Sequence, residues 1–113
     1  MCMDIDKLDL LRINKGFGGN LRNNSSLEFA FSQLKNKKIG NYKKLAYLWR
    51  AILIDHPFSD GNKRTAAYIS FEFAEDNNKK VNRELLIHHI VSIAKKNITQ
   101  IKNIERRIRN AIK

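Results

Sequence analysis

Apolar residues recur along the chain mostly at intervals of three and four, the spacing that places them on one face of an α-helix. The clearest run predicts a helix whose apolar face consists of Leu45, Leu48, Trp49, Ile52 and Leu53. Stripes of the same kind predict five more helices, carrying Ile5, Leu8 and Leu11; Leu27, Ala30, Phe31 and Leu34; Ala66, Ala67, Tyr68, Ile69, Phe71, Phe73 and Ala74; Leu85, Leu86, Ile90, Ile93 and Ala94; and Ile98, Ile101, Ile104, Ile108 and Ala111. No stretch alternates with period two over a useful length, so the pattern predicts a small, compact all-α helical bundle.

The sequence also predicts the connections between these helices. Residues 14–24 contain three glycines and predict a loop, and residues 35–42 are polar and predict a connection or at most a short hairpin. Pro57 ends the third helix, because its ring cannot continue a helix. The fourth helix, over residues 66–74, is apolar nearly all round, which is typical of the centre of a bundle. Side chains suited to cap helix N-termini are those of Asn24 or Ser25 and of Asn82.

Length and composition indicate one domain. A chain of 113 residues with 42% apolar residues can bury a single core, and no repeat or Ser/Gly linker divides residues 1–113. The longest apolar run, over residues 45–49, is far shorter than the roughly 20 residues of a membrane helix. The N-terminus lacks the pattern of a secretory signal, so we expect a cytoplasmic protein that does not use the membrane. The lone Cys2 predicts an inert thiol.

The chain is strongly basic, with a net charge of +11. Such a field attracts nucleic acid, nucleotides, acidic proteins or anionic membranes, and by itself selects none of them. The densest cluster lies at the C-terminus and favours a solvated helix face, with a docking surface for an acidic partner as the alternative. Its members are Lys95, Lys96, Lys102, Arg106, Arg107, Arg109 and Lys113.

Residues 56–64, between the two best-defined helices, read His-Pro-Phe-Ser-Asp-Gly-Asn-Lys-Arg. Pro57 ends one helix and Asn62 can begin the next, so the first amides of this second helix form an N-terminus that stabilises anions. Lys63 and Arg64 place two cations at the same positive end of the helix. That arrangement is unfavourable unless an anion binds there, and it indicates function.

Three more residues of this segment suit chemistry on a phosphate. Gly61 removes the side chain where a phosphate would approach the backbone. Asp60 supplies a hard oxygen ligand for Mg²⁺, which typically uses one or two carboxylates and substrate phosphate oxygens. His56 is the residue type best suited to take a proton from an attacking hydroxyl near neutral pH. The segment therefore predicts a phosphate-transfer site.

The same residues resemble the motif of the Fic/Doc family, His-x-Phe-x-Asp/Glu/Asn-Gly/Ala-Asn-x-Arg, and every defined position is matched. The resemblance implies a small α-helical domain in which this loop joins two central helices. It implies an Mg²⁺-dependent enzyme with ATP as co-substrate. Residue by residue, it implies His56 as the general base, Asp60 as the Mg²⁺ ligand, Phe58 as the inward anchor of the loop, Gly61 and Asn62 as the anion-binding turn, and Lys63 and Arg64 as phosphate ligands.

Two departures from the family pattern bear on the reaction. AMP-transferring members usually have glycine where this chain has Lys63, and a second arginine where it has Ala67. The sequence here resembles the Doc (death-on-curing) branch, the toxin of a toxin–antitoxin pair. That resemblance implies phosphate transfer from ATP to a hydroxyl of a protein such as elongation factor Tu, with arrest of translation. Protein AMPylation is the enzymatic alternative, and a basic nucleic-acid-binding module is the non-enzymatic one, although we expect nucleic acid not to be the partner.

Regulation is the last feature on which the resemblance bears. Self-inhibited Fic proteins carry Ser/Thr-x-x-x-Glu-Gly/Asn, and Glu28, the nearest candidate, has Asn24 four residues before it and Phe29 after it. The pattern is not matched, so the resemblance implies restraint by a separate antitoxin protein. In the family, a flap ahead of the motif helix lays the target segment across the site, and residues 35–42 are either that flap or a simple connection.

Overall fold

A computed structural model describes residues 5–113. Cys2, predicted to be inert, lies outside the described residues. Across residues 5–113 the structure has no β-strand, only isolated bridges between Leu21 and Phe58 and between Val81 and Ile112. The predicted all-α bundle is therefore confirmed. Its helices are α1 (Lys7–Gly16), α2 (Ser25–Leu34), α3 (Asn41–Asp55), α4 (Asn62–Asp76), α5 (Arg83–Lys96) and α6 (Ile101–Ala111).

Helix α3 lies at the centre of the bundle, where it packs against α2, α4, α5 and α6. The five apolar residues predicted for its face are all fully buried. Trp49 also donates from Nε1 to Ser70 Oγ of α4 at 2.8 Å, and that hydroxyl donates to the Ala66 carbonyl at 2.7 Å. The polar end of the indole is thus satisfied, as its burial requires.

Helix α4 is less central than its apolar composition predicts. It packs against α1, α3 and α5, and it buries Ala66, Ile69, Phe73 and Ala74. Tyr68 is 45% exposed and lines a groove between α1 and α4. Because that side of α4 stays open among the described residues, α3 rather than α4 occupies the centre.

Helix α1 differs from its prediction in phase and in length. Asp6 and Asp9 form a capping box that starts the helix at Lys7. The helix buries Leu10 and leaves Leu8 64% exposed, so Leu8 is not a core residue. The helix also continues into the predicted loop, and its last turn carries Asn14, which is buried.

Four other features, three helix starts and one connection, test smaller predictions. Asn82 caps α5 by accepting from the Leu85 amide, as predicted. Asn24 precedes α2, but its side chain makes no capping bond. Residues 35–40 form turns rather than a hairpin. Helix α6 begins at Ile101, so Ile98 packs against the core from the connection before it rather than from the helix.

Helices α5 and α6 pack against each other and against α3. Two backbone hydrogen bonds close this pair at its base, from the Asn82 amide to the Ala111 carbonyl and from the Lys113 amide to the Lys80 carbonyl, both 2.8 Å. None of the helices in the described part of the chain is both long and apolar enough to cross a bilayer.

Candidate active site

The loop between α3 and α4 is a tight turn held by its own residues. His56 ends α3 in the left-handed conformation, with φ of 47°. Phe58 is 1% exposed, so the predicted anchor is buried. The Asn62 side chain closes the turn, because its Oδ1 accepts from the Phe58 amide at 3.2 Å and its Nδ2 donates to the Phe58 carbonyl at 3.0 Å. Asn62 is thus the first residue of α4 and a clasp for the loop.

Asp60 and Gly61 form the junction with α4. The Asp60 carboxylate is exposed, and its Oδ1 accepts from the Gly61 amide at 2.8 Å. Gly61 precedes the helix with φ of 73°, and no side chain of residues 5–113 caps α4. Neither Asp60 nor Asn62 therefore acts as a helix cap. The first amides of α4 remain available to an external acceptor, as the free N–H groups of a helix N-terminus are.

These elements surround a cavity of about 290 Å³. Every polar residue that the sequence predicts for the site lines it, whereas Phe58 lies beneath it in the core. The structure thus brings a histidine, a carboxylate, an uncapped helix N-terminus and two cations to one cavity. The lining residues are His56, Ser59, Asp60, Gly61, Asn62, Lys63 and Arg64.

The connection between α1 and α2 forms a wall along this loop, which the sequence analysis did not anticipate. The Ser59 amide donates to the Asn20 carbonyl at 2.8 Å, and the Asn20 amide donates to Ser59 Oγ at 3.0 Å. The Arg22 and Asn23 amides donate to the Pro57 carbonyl at 2.7 and 3.1 Å. Backbone bonds carry almost no sequence signature, so the glycine-rich segment predicted only a loop.

Asn14 is the second feature that sequence reasoning missed. Its side chain is 1% exposed, and its Nδ2 donates to the Asp60 carbonyl at 2.8 Å and to Thr65 Oγ1 at 3.1 Å. The available signal was a polar residue four positions after Leu10 on the buried side of α1. That signal was lost because the predicted helix ended before Asn14.

Comparison with known proteins decides the family. The model of the Fic/DOC family matches residues 5–74, which is more than half of the chain. The chain belongs to the Fic/Doc family. The match begins just before α1 and ends within α4, so it includes the motif loop, the wall and Asn14, and leaves out α5 and α6. No curated protein and no solved structure matches the chain.

Membership makes this a Fic-type enzyme domain. Fic/Doc proteins generally transfer nucleotide or phosphate groups to proteins and use a nucleotide co-substrate, typically with Mg²⁺. The family therefore accounts for a cavity that combines anion-binding groups with a potential base. It does not by itself distinguish phosphate from AMP as the transferred group.

The charges at the N-terminus of α4 suit a nucleotide. Within residues 5–113 the ion pairs are Lys7 with Glu28 and Arg109 with Glu105, so Lys63 and Arg64 lack a carboxylate partner. Both are exposed. Two unpaired cations repel the positive end of the helix dipole, and a phosphate bound there removes that repulsion.

The donor set for a metal in this Fic/Doc chain is small. Among the described residues, no group of three or more His, Cys, Asp or Glu could hold a metal ion by itself. Asp60 is the one carboxylate that lines the cavity, and only its Oδ1 has a partner in the described chain. One carboxylate fits Mg²⁺ that is completed by water and nucleotide phosphate oxygens.

Glu28, the nearest candidate for an inhibitory glutamate, lies outside the cavity. It accepts from Lys7 Nζ at 3.1 Å and from Asn24 Nδ2 at 2.7 Å. The hydrogen bond from Lys7, followed by that from Asn24, lowers the pKa of the Glu28 carboxyl. Its contacts therefore tie α2 to α1 and do not reach Lys63 or Arg64.

Proposed function

We propose that this Fic/Doc domain transfers phosphate from ATP to a hydroxyl of a target protein, as a Doc-like toxin. The observation that carries the proposal is the uncapped N-terminus of α4 with its unpaired cations Lys63 and Arg64, in one cavity with His56 and Asp60. Free amides, a helix dipole and two cations together suit the binding of a triphosphate.

His56 is the proposed general base. It is exposed at the end of α3, where the buried Pro57 and Phe58 hold the following backbone in place. From the cavity wall it takes the proton of the attacking hydroxyl as that oxygen bonds to the γ-phosphorus. The bond from the γ-phosphorus to its bridging oxygen breaks in the same reaction, and ADP leaves.

Asp60 is the proposed ligand of Mg²⁺, which supplies neutralisation of phosphate charge when bound. Gly61 lets the chain turn without a side chain at the phosphates, and the Asn62 clasp fixes the geometry of the loop. Lys63 and Arg64 hold phosphate oxygens. Catalysis in this scheme consists of positioning and charge neutralisation, as expected for phosphoryl transfer.

The Doc branch rests on two positions of α4. Lys63 replaces the glycine, and Ala67 the second arginine, that are usual in AMP-transferring members. Ala67 is half-buried and carries no charge, so it cannot hold a phosphate. In this proposal the target is a translation factor of the elongation factor Tu kind, and a separate antitoxin protein restrains the enzyme.

The test is label transfer to the proteins of a cell extract with Mg²⁺ and ATP labelled at the γ or the α phosphate. We expect label from γ only, and its loss in His56→Ala. His88→Ala is the matched control, because His88 is also exposed but lies on α5 outside the cavity. Label from the α phosphate would instead establish AMP transfer, and undiminished transfer by His56→Ala would exclude His56 as the base.

A further inference from the structure

Asn14 is a buried polar side chain that the proposed reaction does not use. Its Nδ2 donates both of its hydrogen bonds to residues of the motif region, Asp60 and Thr65, which are 46 and 51 positions away in sequence. Its Oδ1 is buried and has no hydrogen-bond partner among the described residues. An unsatisfied buried carbonyl oxygen is rare in native proteins and calls for an explanation.

The orientation of the Asn14 amide is determined by its neighbours. The Asp60 carbonyl can only accept a hydrogen bond, so the amide nitrogen must face it and Oδ1 must point away. Gly19 lies beside this contact, where a side-chain carbon would overlap both Asn14 Oδ1 and the Asp60 carbonyl oxygen. Gly61 lies on the amide as well, since a Cβ there would be 3.3 Å from Asn14 Nδ2. Two glycines thus leave room for the amide group and for little else.

The contacts of Asp60 show how Asn14 supports the motif loop. Its side chain is exposed and bonds only to the amide of its own neighbour, Gly61, within the described chain. Its backbone carbonyl is held from behind by Asn14, which also holds Thr65 one turn into α4. A single side-chain amide on α1 therefore holds the backbone of Asp60 to the first turn of α4.

We infer that Asn14 is a positioning residue of the transfer site, which acts through Asp60. The inference rests on the proposed function, because it assumes that the Asp60 carboxylate binds Mg²⁺ together with the nucleotide. A residue that only stabilised the fold would, when replaced, lower the free energy of unfolding and leave the Mg²⁺ requirement of the folded enzyme unchanged. Replacing a positioning residue changes that requirement as well, because the location of the carboxylate changes when the hydrogen bonds are removed.

Asn14→Asp is the sharpest variant, because it keeps the shape of the side chain and replaces the donating nitrogen with oxygen. The quantity to measure is the Mg²⁺ concentration that gives half-maximal label transfer at saturating ATP. We expect it to rise about tenfold, the usual effect of losing a group that orients a metal ligand. Ile104→Val is the matched control, since Ile104 is fully buried in α6, far from the motif in sequence, and does not line the cavity. This control should leave the Mg²⁺ requirement unchanged.

A second measurement does not need activity. The ¹H–¹⁵N resonances of residues 61–64 should shift in Asn14→Asp and in Asn14→Leu relative to the wild type, while those of α6 stay in place. Asn14→Leu keeps the test available if the charged variant does not fold. Unmoved resonances together with a wild-type Mg²⁺ requirement would overturn the inference. If the wild type transfers no label, the proposed function fails, and the resonances alone decide whether Asn14 positions the loop.

Discussion

At the scale of single residues, Gly61 carries the strictest backbone requirement in the site. Its φ of 73° lies in the left-handed region, and a Cβ would come within 2.9 Å of Phe17 Cβ. Gly18 has a similar φ of 84°, yet a Cβ there would meet nothing within 4 Å. The two glycines therefore separate the energetic effect of backbone conformation from that of packing.

We predict that Gly18→Ala lowers the free energy of unfolding by about 1 kcal/mol, the strain of a left-handed residue that carries a Cβ. Gly61→Ala should lower it by about 2 to 4 kcal/mol, because it adds an overlap with Phe17 to the same strain. Urea unfolding monitored by circular dichroism measures both values. If the free energy of unfolding fell equally in the two variants, the loop around Gly61 would have moved to make room for the added methyl group.

The residues of the site divide into those that a sequence reveals and those that it does not. The polar lining of the cavity was predicted because it falls within nine consecutive residues, 56–64, whose chemical types have few other uses together. Asn14 was not predicted, because its two partners are more than 40 positions away and one of them is a backbone carbonyl. Long-range contacts to the backbone leave no local pattern.

At the scale of helices, the contact between α5 and α6 places an arginine against a histidine. Arg107 Nη1 lies 3.4 Å from His89 Nδ1. Arginine can only donate, so the contact needs Nδ1 to accept, which leaves the imidazole neutral with its proton on Nε2. Burial lowers the pKa of His89, and Arg107 and then His88 lower it further.

We predict that stability falls as the pH is lowered below about 6.5, the ordinary pKa of histidine. His89 of the folded protein resists protonation, so the unfolded chain binds more protons in the window between the ordinary and the lowered pKa. The stability present above pH 6.5 is therefore progressively lost as the pH falls through that window. Thermal unfolding between pH 5.5 and 7.5 measures the effect.

His89→Gln should flatten this dependence, because it removes the titrating group that faces Arg107. His88→Gln is the control, since it changes the neighbouring exposed histidine and leaves the contact with Arg107 in place. If the melting temperature of His89→Gln still fell with falling pH as in the wild type, the pH dependence would belong to another group.

Helices themselves were predicted well, and their ends and phases less well. The central helix α3 has an apolar face interrupted by no competing pattern, so its five core residues were all predicted. The face predicted for α1 was wrong at Leu8, because the side of the helix that faces the bundle carries Leu10 and Asn14, four residues apart, and leaves Leu8 exposed. Short helices offer few turns over which a periodicity can correct such a shift.

At the scale of the whole molecule, the net positive charge destabilises the compact folded state. The net charge is +11, and the described side chains form the two ion pairs noted above. Like charges on one small surface repel each other, and salt screens that repulsion over about 10 Å at 0.1 M. The bundle is held together by its apolar core despite this charge.

We predict that the melting temperature rises when NaCl is increased from about 0.02 to 0.3 M, because screening relieves the repulsion. The double variant Lys102→Gln and Arg106→Gln, on the exposed side of α6, should melt higher at low salt and respond less to added salt. A melting temperature that falls with salt would mean that attractive pairs outweigh the repulsion.

The sequence was enough to predict the all-α fold class, but not how the helices are arranged in the bundle. Periodicity is a property of each helix alone, and it showed six helices and no sheet. Which helix occupies the centre depends on how the helix faces meet, and the nearly all-apolar stretch of α4 over residues 66–74 was misleading because one of its sides faces an open groove. The wall along the motif loop depends on backbone bonds between distant segments, which periodicity does not report.

The attachment of α1 has a consequence for how the protein loses its activity. This helix packs extensively only against α4, whereas α3 packs against four helices. An element with so few neighbours opens locally at a lower free energy than the core does. When α1 detaches, Asn14 leaves the Asp60 carbonyl while the rest of the bundle keeps its helices. In the proposed scheme, transfer activity is therefore lost before the bundle unfolds, and a preparation of this domain can keep helices α2 to α6 and yet be inactive.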